Sequence, residues 1–336
     1  MSKRIITFML ALLALTTVSR SARAGELELL NVSYDPTREL WKALNQAFIT
    51  QYTAKTGTSL KISMSHGGSG SQARAVIDGL QADVVTLALW PDTDAVSKAG
   101  LIDAGWEGRL PNNASPYYST IVFVVRKGNP KGIKDWPDLI KDGVQVVTPN
   151  PLTSGNGKLS LLAAWGAVTE RGGSEEDALK LVTELYRSHT PVLDSGARGS
   201  TTTFAQKGIG DVHLTWENEA YLELEESGGK VEIVYPPISV RADPPIAVVD
   251  ANVNRKGTRA AAEAYLQFLY TPEGQEIIVK HRYRPGDNAV LQRHAADFKE
   301  IKLFPITAVA ADWSAINAKF FSPGGVFETI YQQAGK

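Results

Sequence analysis

The chain has 336 residues, 43% of them apolar and 21% charged, with 35 basic and 36 acidic side chains and no cysteine. Disulfides and thiolate metal sites are therefore excluded, and without a long basic run neither nucleic acid nor an anionic membrane is a fitting partner. A chain of this length buries large cores without covalent staples, most simply as two domains.

Lys3 and Arg4, the apolar run Ile5 to Val18 and the small-residue stretch Ala22-Arg23-Ala24 open the sequence. That order predicts a secretory signal peptide over residues 1–24, cleaved after Ala24, because the apolar run is too short to span a bilayer. Cleavage removes four basic residues and no acids, which leaves 31 basic against 36 acidic side chains, net −5.

The mature part begins "LELLNVSYDPTRELWKALNQAF". Leu27 to Val32 reads as a strand, Asp35 as an N-cap and Pro36 as the first helical residue. Leu40, Leu44, Ala47 and Phe48 then repeat at helical spacing. A second strand follows at Leu60 to Met64, then the small-residue loop "SHGGSGSQA" and a helix. "ADVVTLAL" (Ala82 to Leu89) is an apolar run of strand length, as in a sheet buried on both faces. "STIVFVVRKGNP" is the most β-prone segment, followed by the helix-like "WPDLIKDG" and a strand at Val144 to Thr148. Beyond the loop "TSGNGK" lie two helical patterns, the second being the amphipathic "EEDALKLVTELYRS". "VLDSGARGSTTTFAQKGIGDVHLTWENEA" repeats strand, small-residue loop, helix and strand. "AAAEAYLQFLYTPEGQEIIVKHRYRP" reads as two helices divided at Thr271-Pro272. This alternation predicts an α/β fold.

Three loops share one chemistry: "SHGGSGS", "TSGNGK" and "DSGARGST" each follow a strand and precede a helix. Glycine lets backbone N–H groups approach a ligand, and the first N–H groups of a helix lack an internal partner. Converging helix starts would hold a small anion. "GNGK" is not a nucleotide P-loop, because Leu159 stands where Ser or Thr must bind magnesium and the upstream glycine is missing. "HGGSG" resembles an esterase loop with Ser69 as nucleophile, but Ser71 stands where that elbow needs glycine. His66, His189, His213, His281 and His294 show no paired ligand spacing, so no metal and no cofactor are expected. Tyr117-Tyr118 is the one pair that suggests a ferric-ion site.

"NVSYDPTREL", "SHGGSGSQA", "TLAL", "STIVFVVRKGNPK", "TPNP", "VLDSGARGST", "GDVHLTWENEA" and "AEAYLQFLYTPEGQEI" together give a chain that resembles the periplasmic sulfate/thiosulfate-binding proteins of ABC importers, from about Leu29 onward. The resemblance implies a two-lobed α/β periplasmic-binding-protein fold of type II, each lobe a mixed sheet flanked by helices, joined by a two-strand hinge near Ser119 to Phe123 and Ser239 to Val248. Residues 25–116 and 246–336 would form one discontinuous lobe, and 117–245 the other. It implies a periplasmic, non-catalytic monomer that passes its anion to permease subunits in the inner membrane. Ser69 would give its hydroxyl and N–H, Ser154, Gly155 and Asn156 their N–H groups, Ala197 its N–H and Trp216 its indole N–H. Asp35, His66 and Arg198 would hold the loops in shape. The family commonly reads Ser-Gly-Gly-Ala-Arg where this chain has Ser154-Gly155-Asn156-Gly157-Lys158. Asn tolerates positive φ, but Lys158 cannot supply a bidentate guanidinium brace. Molybdate binding, iron binding through Tyr117 and Tyr118, and hydrolysis by Ser69 are the competing readings.

Overall fold

The computed structural model describes residues 26–332, so the expected signal peptide lies outside the described residues. Two sheets organise the chain. In the first, β1 (Leu27–Tyr34), β2 (Leu60–Gly67), β3 (Val84–Thr86) and β11 (Ile246–Val248) lie in the order β11-β3-β1-β2. β1 runs parallel to β2 and β3, whereas β11 returns antiparallel to β3. The second holds β5 (Ile121–Arg126), β6 (Val146–Pro149), β7 (Val192–Asp194), β8 (Val212–Trp216) and β9 (Val231–Val234), in the order β7-β6-β8-β5-β9. β6 is parallel to β7 and β8, and β5 is antiparallel to β8 and β9. Both sheets are mixed and flanked by helices, as the resemblance implies.

Each sheet has its own core. Leu29, Val84, Ile246 and the helix residues Leu40, Trp41, Leu44 and Phe48 pack with Tyr265 and Phe268 beside the first sheet. Ile121, Phe123, Val146 and Leu214 pack with Leu161, Leu162 and Trp165 beside the second. The helix Glu175–Ser188 buries Ala178, Leu181, Val182, Leu185 and Tyr186, and Ser174 caps it by accepting from Asp177 N. The amphipathic periodicity expected for this segment is borne out. The boundary at Thr271-Pro272 also stands, since the Thr271 hydroxyl accepts from Gly274 N at 3.1 Å at the start of the helix Pro272–Lys280.

The chain passes between the two sheets at three places. β4 (Tyr117–Tyr118) pairs antiparallel with β12 (Arg284–Pro285), and β10 (Ile238–Val240) pairs parallel with β13 (Lys302–Phe304). Ser119 and Ala242 exchange backbone hydrogen bonds of 2.9 and 3.0 Å, which ties two crossings together. The third crossing, between β12 and β13, has no counterpart in the expected two-strand hinge. It changes the place of the C-terminal stretch. Residues 302–330, expected beside the first sheet, join the core of the second through Phe304, Ile316, Phe320, Phe327 and Ile330. Trp165 meets Phe320 edge-on at 4.9 Å. A Cβ at Gly166 would stand 2.3 Å from the Phe304 ring, so only glycine lets that ring settle on the helix. Helical periodicity carries no direction for this docking, because an apolar face does not name its partner.

Phe304→Ala removes a buried ring from this contact. The expected cost is about 3–5 kcal/mol of unfolding free energy, read by urea titration. An unchanged midpoint would place the C-terminal stretch elsewhere.

Candidate functional site

Three helix starts face one small cavity between the sheets. Its walls are Tyr34, Asp35, Pro36, Gly67, Gly68, Ser69 and Ala88 from the first lobe, and Ser154, Gly155, Asn156, Ala197 and Trp216 from the second. All six expected ligand-contacting residues are therefore brought together, although no two of the three loops are adjacent in sequence. Asp35 joins them at the wall, whereas His66 and Arg198 stand behind it.

The Ser69 helix (Ser69–Ile77) begins directly after β2, with Gly68 extended at the cap position. A Cβ on Gly68 would stand 2.8 Å from the carbonyl oxygen of Thr153, which belongs to the opposite lobe. The glycine is thus required for close approach, not for a positive φ. The Ser69 hydroxyl donates to Asp92 Oδ2 at 2.5 Å and accepts from Ala88 N at 3.0 Å. Asp92, at the start of the helix Trp90–Lys98, was not found from sequence, since 23 residues separate it from Ser69. Burial raises its carboxyl pKa, against the pull of Lys158 and the Ser69 hydrogen bond. This pairing also bears on the hydrolase reading: the hydroxyl of Ser69 is held by a buried carboxylate and a backbone amide, not by a histidine.

The second helix start is Gly155–Thr169, capped by Ser154, whose Oγ accepts from Gly157 N at a long 3.5 Å. Asn156 needs no positive φ, because it lies inside the helix. Its side chain turns inward, accepting from Ser160 Oγ at 3.0 Å. A Cβ on Gly157 would meet Pro149 O at 2.4 Å, and one on Gly155 would meet the Ala88 side chain at 2.7 Å. Both glycines are packing requirements. Lys158 places its ammonium over the Phe321 ring, 5.4 Å from the centroid.

The third start is the short helix Ala197–Thr201, whose cap position is Gly196. Trp216 ends β8 and is nearly fully buried, with its ring 5.6 Å from that of Tyr34. Its buried strand-end position is also part of the cavity wall. Every one of the three helices presents its first N–H groups without an intrahelical acceptor, and the dipoles add a positive potential at that end. The arrangement suits a small anion held by neutral donors.

Charge surrounds the cavity in paired form. Asp35 is not the N-cap expected: its side chain makes no capping bond, and a 3₁₀ turn (Asp35–Thr37) precedes the helix Arg38–Thr56. Its carboxylate instead takes Arg38 Nη2 at 2.6 Å, and its Oδ2 would stand 3.2 Å from a Cβ on Gly196. His66, at the end of β2, has its pKa lowered to about 4 by burial and by the nearby Arg38 and Arg198 charges. Arg198 contacts Glu219 at 3.3 Å and Glu39 at 3.5 Å. Tyr117 and Tyr118 are packing residues: Tyr117 meets Tyr283 edge-on at 4.8 Å, and Arg241 lies 3.8 Å over the Tyr118 ring. Among the described residues no cluster of three or more His, Asp or Glu side chains is placed to hold a metal ion, and no helix is long and apolar enough to cross a membrane.

Comparison with known proteins places these features in a wider set. Residues 37–284 match a family described as bacterial extracellular solute-binding protein. The chain is 50% identical over 327 residues to a sulfate-binding protein of Escherichia coli K12, covering 97% of each chain. It is 48% identical to a thiosulfate-binding protein of Pseudomonas aeruginosa, over 96% of this chain and 98% of that one. Among solved structures, the sulfate-binding protein SubI of Mycobacterium tuberculosis H37Rv superposes with a TM-score of 0.81 at 33% identity, covering 88% of this chain and all of that one.

Two measurements check this geometry. Gly68→Ala pushes a methyl group against Thr153 O, so small-angle scattering should report a larger radius of gyration while the melting temperature stays near wild type; an unchanged radius would mean the approach is not tight. His66 binds a proton in the unfolded chain near pH 6.5 but in the folded chain only near pH 4. Stability contributed by its neutral form is therefore lost as pH falls from 6.5 towards 4, and NMR titration of the ring should give a midpoint close to 4.

Proposed function

The chain belongs to the bacterial extracellular solute-binding proteins, and on that premise we propose that it captures sulfate, or thiosulfate, between its lobes and delivers it to the permease of an ABC importer. It acts as a monomer in the periplasm, reached through the expected cleavage after Ala24, and it catalyses no reaction. The lobes that close over the anion comprise residues 26–116 with 246–285, and 117–245 with the stretch from 302.

The observation that carries this reading is the convergence of three helix starts and one indole on a single cavity. Sulfate is fully ionised at neutral pH, so each of its oxygens accepts hydrogen bonds and none donates. Peptide N–H groups at Ser69, Gly155, Asn156 and Ala197, with the indole of Trp216, are donors to match; Ser154 offers its hydroxyl rather than the expected N–H, which already donates to Asn150 O at 3.0 Å. Phosphate keeps a proton near pH 7, and the one carboxylate on the wall that could accept it, Asp35, is already paired with Arg38. An unpaired buried donor costs about 1–3 kcal/mol, which is roughly a fivefold to hundredfold difference in affinity. Dispersed dipoles also spare the protein a buried counter-charge, whose desolvation offsets much of its attraction. Ser69 has one hydroxyl proton, shared between Asp92 and the incoming anion, so its N–H is the surer of its two donors.

Calorimetric titration with sulfate, thiosulfate, phosphate and molybdate tests the reading. Sulfate or thiosulfate should bind at least about fivefold more tightly than phosphate, and phosphate binding as tight as sulfate would refute the donor-lined site. Ser69→Ala and Trp216→Phe should each weaken binding by about 1.5–3 kcal/mol. If neither changes the affinity, the anion binds elsewhere.

A further inference from the structure

The Arg198 guanidinium is one of two places where charge connects the lobes near the anion cavity; the other is Arg284 at the chain crossing, which donates to both oxygens of buried Glu217. Arg198 follows Ala197 at the start of its short helix, whose core contacts belong to the second lobe. Its Nη2 reaches two carboxylates of different origin. Glu219, 3.3 Å away, lies on the second-lobe helix Glu217–Glu226 and is buried. Glu39, 3.5 Å away, lies on the helix Arg38–Thr56, which packs its Leu40, Trp41, Leu44 and Phe48 into the first-lobe core. Further out, Asp35, Glu226 and His66 also feel the Arg198 charge.

The two partners behave differently when the lobes part. Glu219 travels with Arg198, because both belong to the second lobe. Glu39 does not. Glu219 therefore fixes where the guanidinium stands, and Glu39 is the contact that opening must break. Glu39 is about half exposed, so its attraction is screened and modest, and it acts on the rate of opening more than on the fold. A neutral contact runs in parallel: Asn218 Nδ2 of the second lobe donates to Pro36 O of the first at 3.3 Å.

We propose that Glu39 is an interlobe latch, which pairs with Arg198 in the closed molecule and slows its opening. Glu39 touches no residue of the cavity wall through this contact, so it is a positioning residue for retention of the anion, and this role rests on the anion-binding reading above. Arg198 is the shared anchor, since it stands one peptide from the Ala197 donor.

The test uses Glu39→Gln in the full-length mature protein. Because the chain has no cysteine, Arg74→Cys and Lys180→Cys, at exposed positions on the two lobes, accept spin labels whose separation reports closure. With sulfate bound, Glu39→Gln should release the anion about two- to fivefold faster than wild type at low salt. That gap should vanish at high ionic strength, while association rate and melting temperature stay unchanged. A merely structural role would move the melting temperature and leave the salt dependence alone. Label distances in anion-free protein should shift towards the open separation in the variant. Unchanged release and unchanged distances would overturn the latch. Should wild-type protein bind neither sulfate nor thiosulfate, the anion-binding reading fails, and the anion-free distances alone decide the latch.

Discussion

Close approach of peptide backbones across the cleft is the constraint on which this structure depends. Backbone donors act only at hydrogen-bond range, so three helix starts from two lobes must meet within the width of one small anion. Glycine makes that approach sterically possible. A side chain at Gly68 would strike Thr153 O, one at Gly155 would strike Ala88, and one at Gly157 would strike Pro149 O. None of these three has a positive φ. Gly68 and Gly155 are small because the opposite lobe is near, and Gly157 because the chain at Pro149 to Pro151 of its own lobe is; each is a tertiary demand written into local sequence.

The same closeness governs the electrostatics. A buried counter-ion inside the cavity would forfeit its own hydration, and the gain from attraction would be largely cancelled. Apart from Asp35 on the wall itself, the charged side chains stand one layer out, each held by a partner. Arg38 holds Asp35, the Ser69 hydroxyl and Ala88 N anchor the Asp92 side of the wall, and Arg198 sits between Glu219 and Glu39. Glu219 shows how costly burial is even with a cation nearby: desolvation pushes its carboxyl up to about 8, and Arg198 only partly opposes it. His66 is driven the other way, its proton repelled by Arg38 and Arg198 and disfavoured by burial. What faces the cavity is mostly peptide dipole; what fixes the dipoles is a ring of partnered charge.

Motion and rigidity are divided between the crossings and the cores. The two lobes meet through short paired segments, Tyr117–Tyr118 with Arg284–Pro285 and Ile238–Val240 with Lys302–Phe304, outside both large sheets, the kind of element-terminal position where hinges form. Arg284 is braced at this junction, donating to both oxygens of buried Glu217 at 2.7 and 2.9 Å and to Lys299 O at 2.7 Å. Glu217 follows Trp216 directly, so the crossing and the cavity wall share one turn of chain. The third crossing adds a second consequence, since it carries Phe304 to Ile330 onto the core of the second lobe. That lobe gains a cover of aromatic rings, including the edge-on pairs of Trp165 with Phe320 and Tyr186 with Phe327.

Sequence alone determined whatever is local in physical origin. Periodicity set the helix Glu175–Ser188, the Thr271-Pro272 break followed from proline's missing N–H and threonine's capping hydroxyl, and glycine with serine ahead of apolar periods marked all three helix starts. Tertiary structure decided the pairings over long separations. Asp92 found Ser69, Arg198 found Glu39, and Asp35 left its anticipated cap for Arg38 and the neighbourhood of Gly196. It also sent Phe304, Ile316, Phe320, Phe327 and Ile330 to the core of the second sheet rather than the first. The reason is the same in each case: hydrogen-bond capacity, charge and apolar area are properties of a residue, but the partner that satisfies them is chosen by how the whole chain packs.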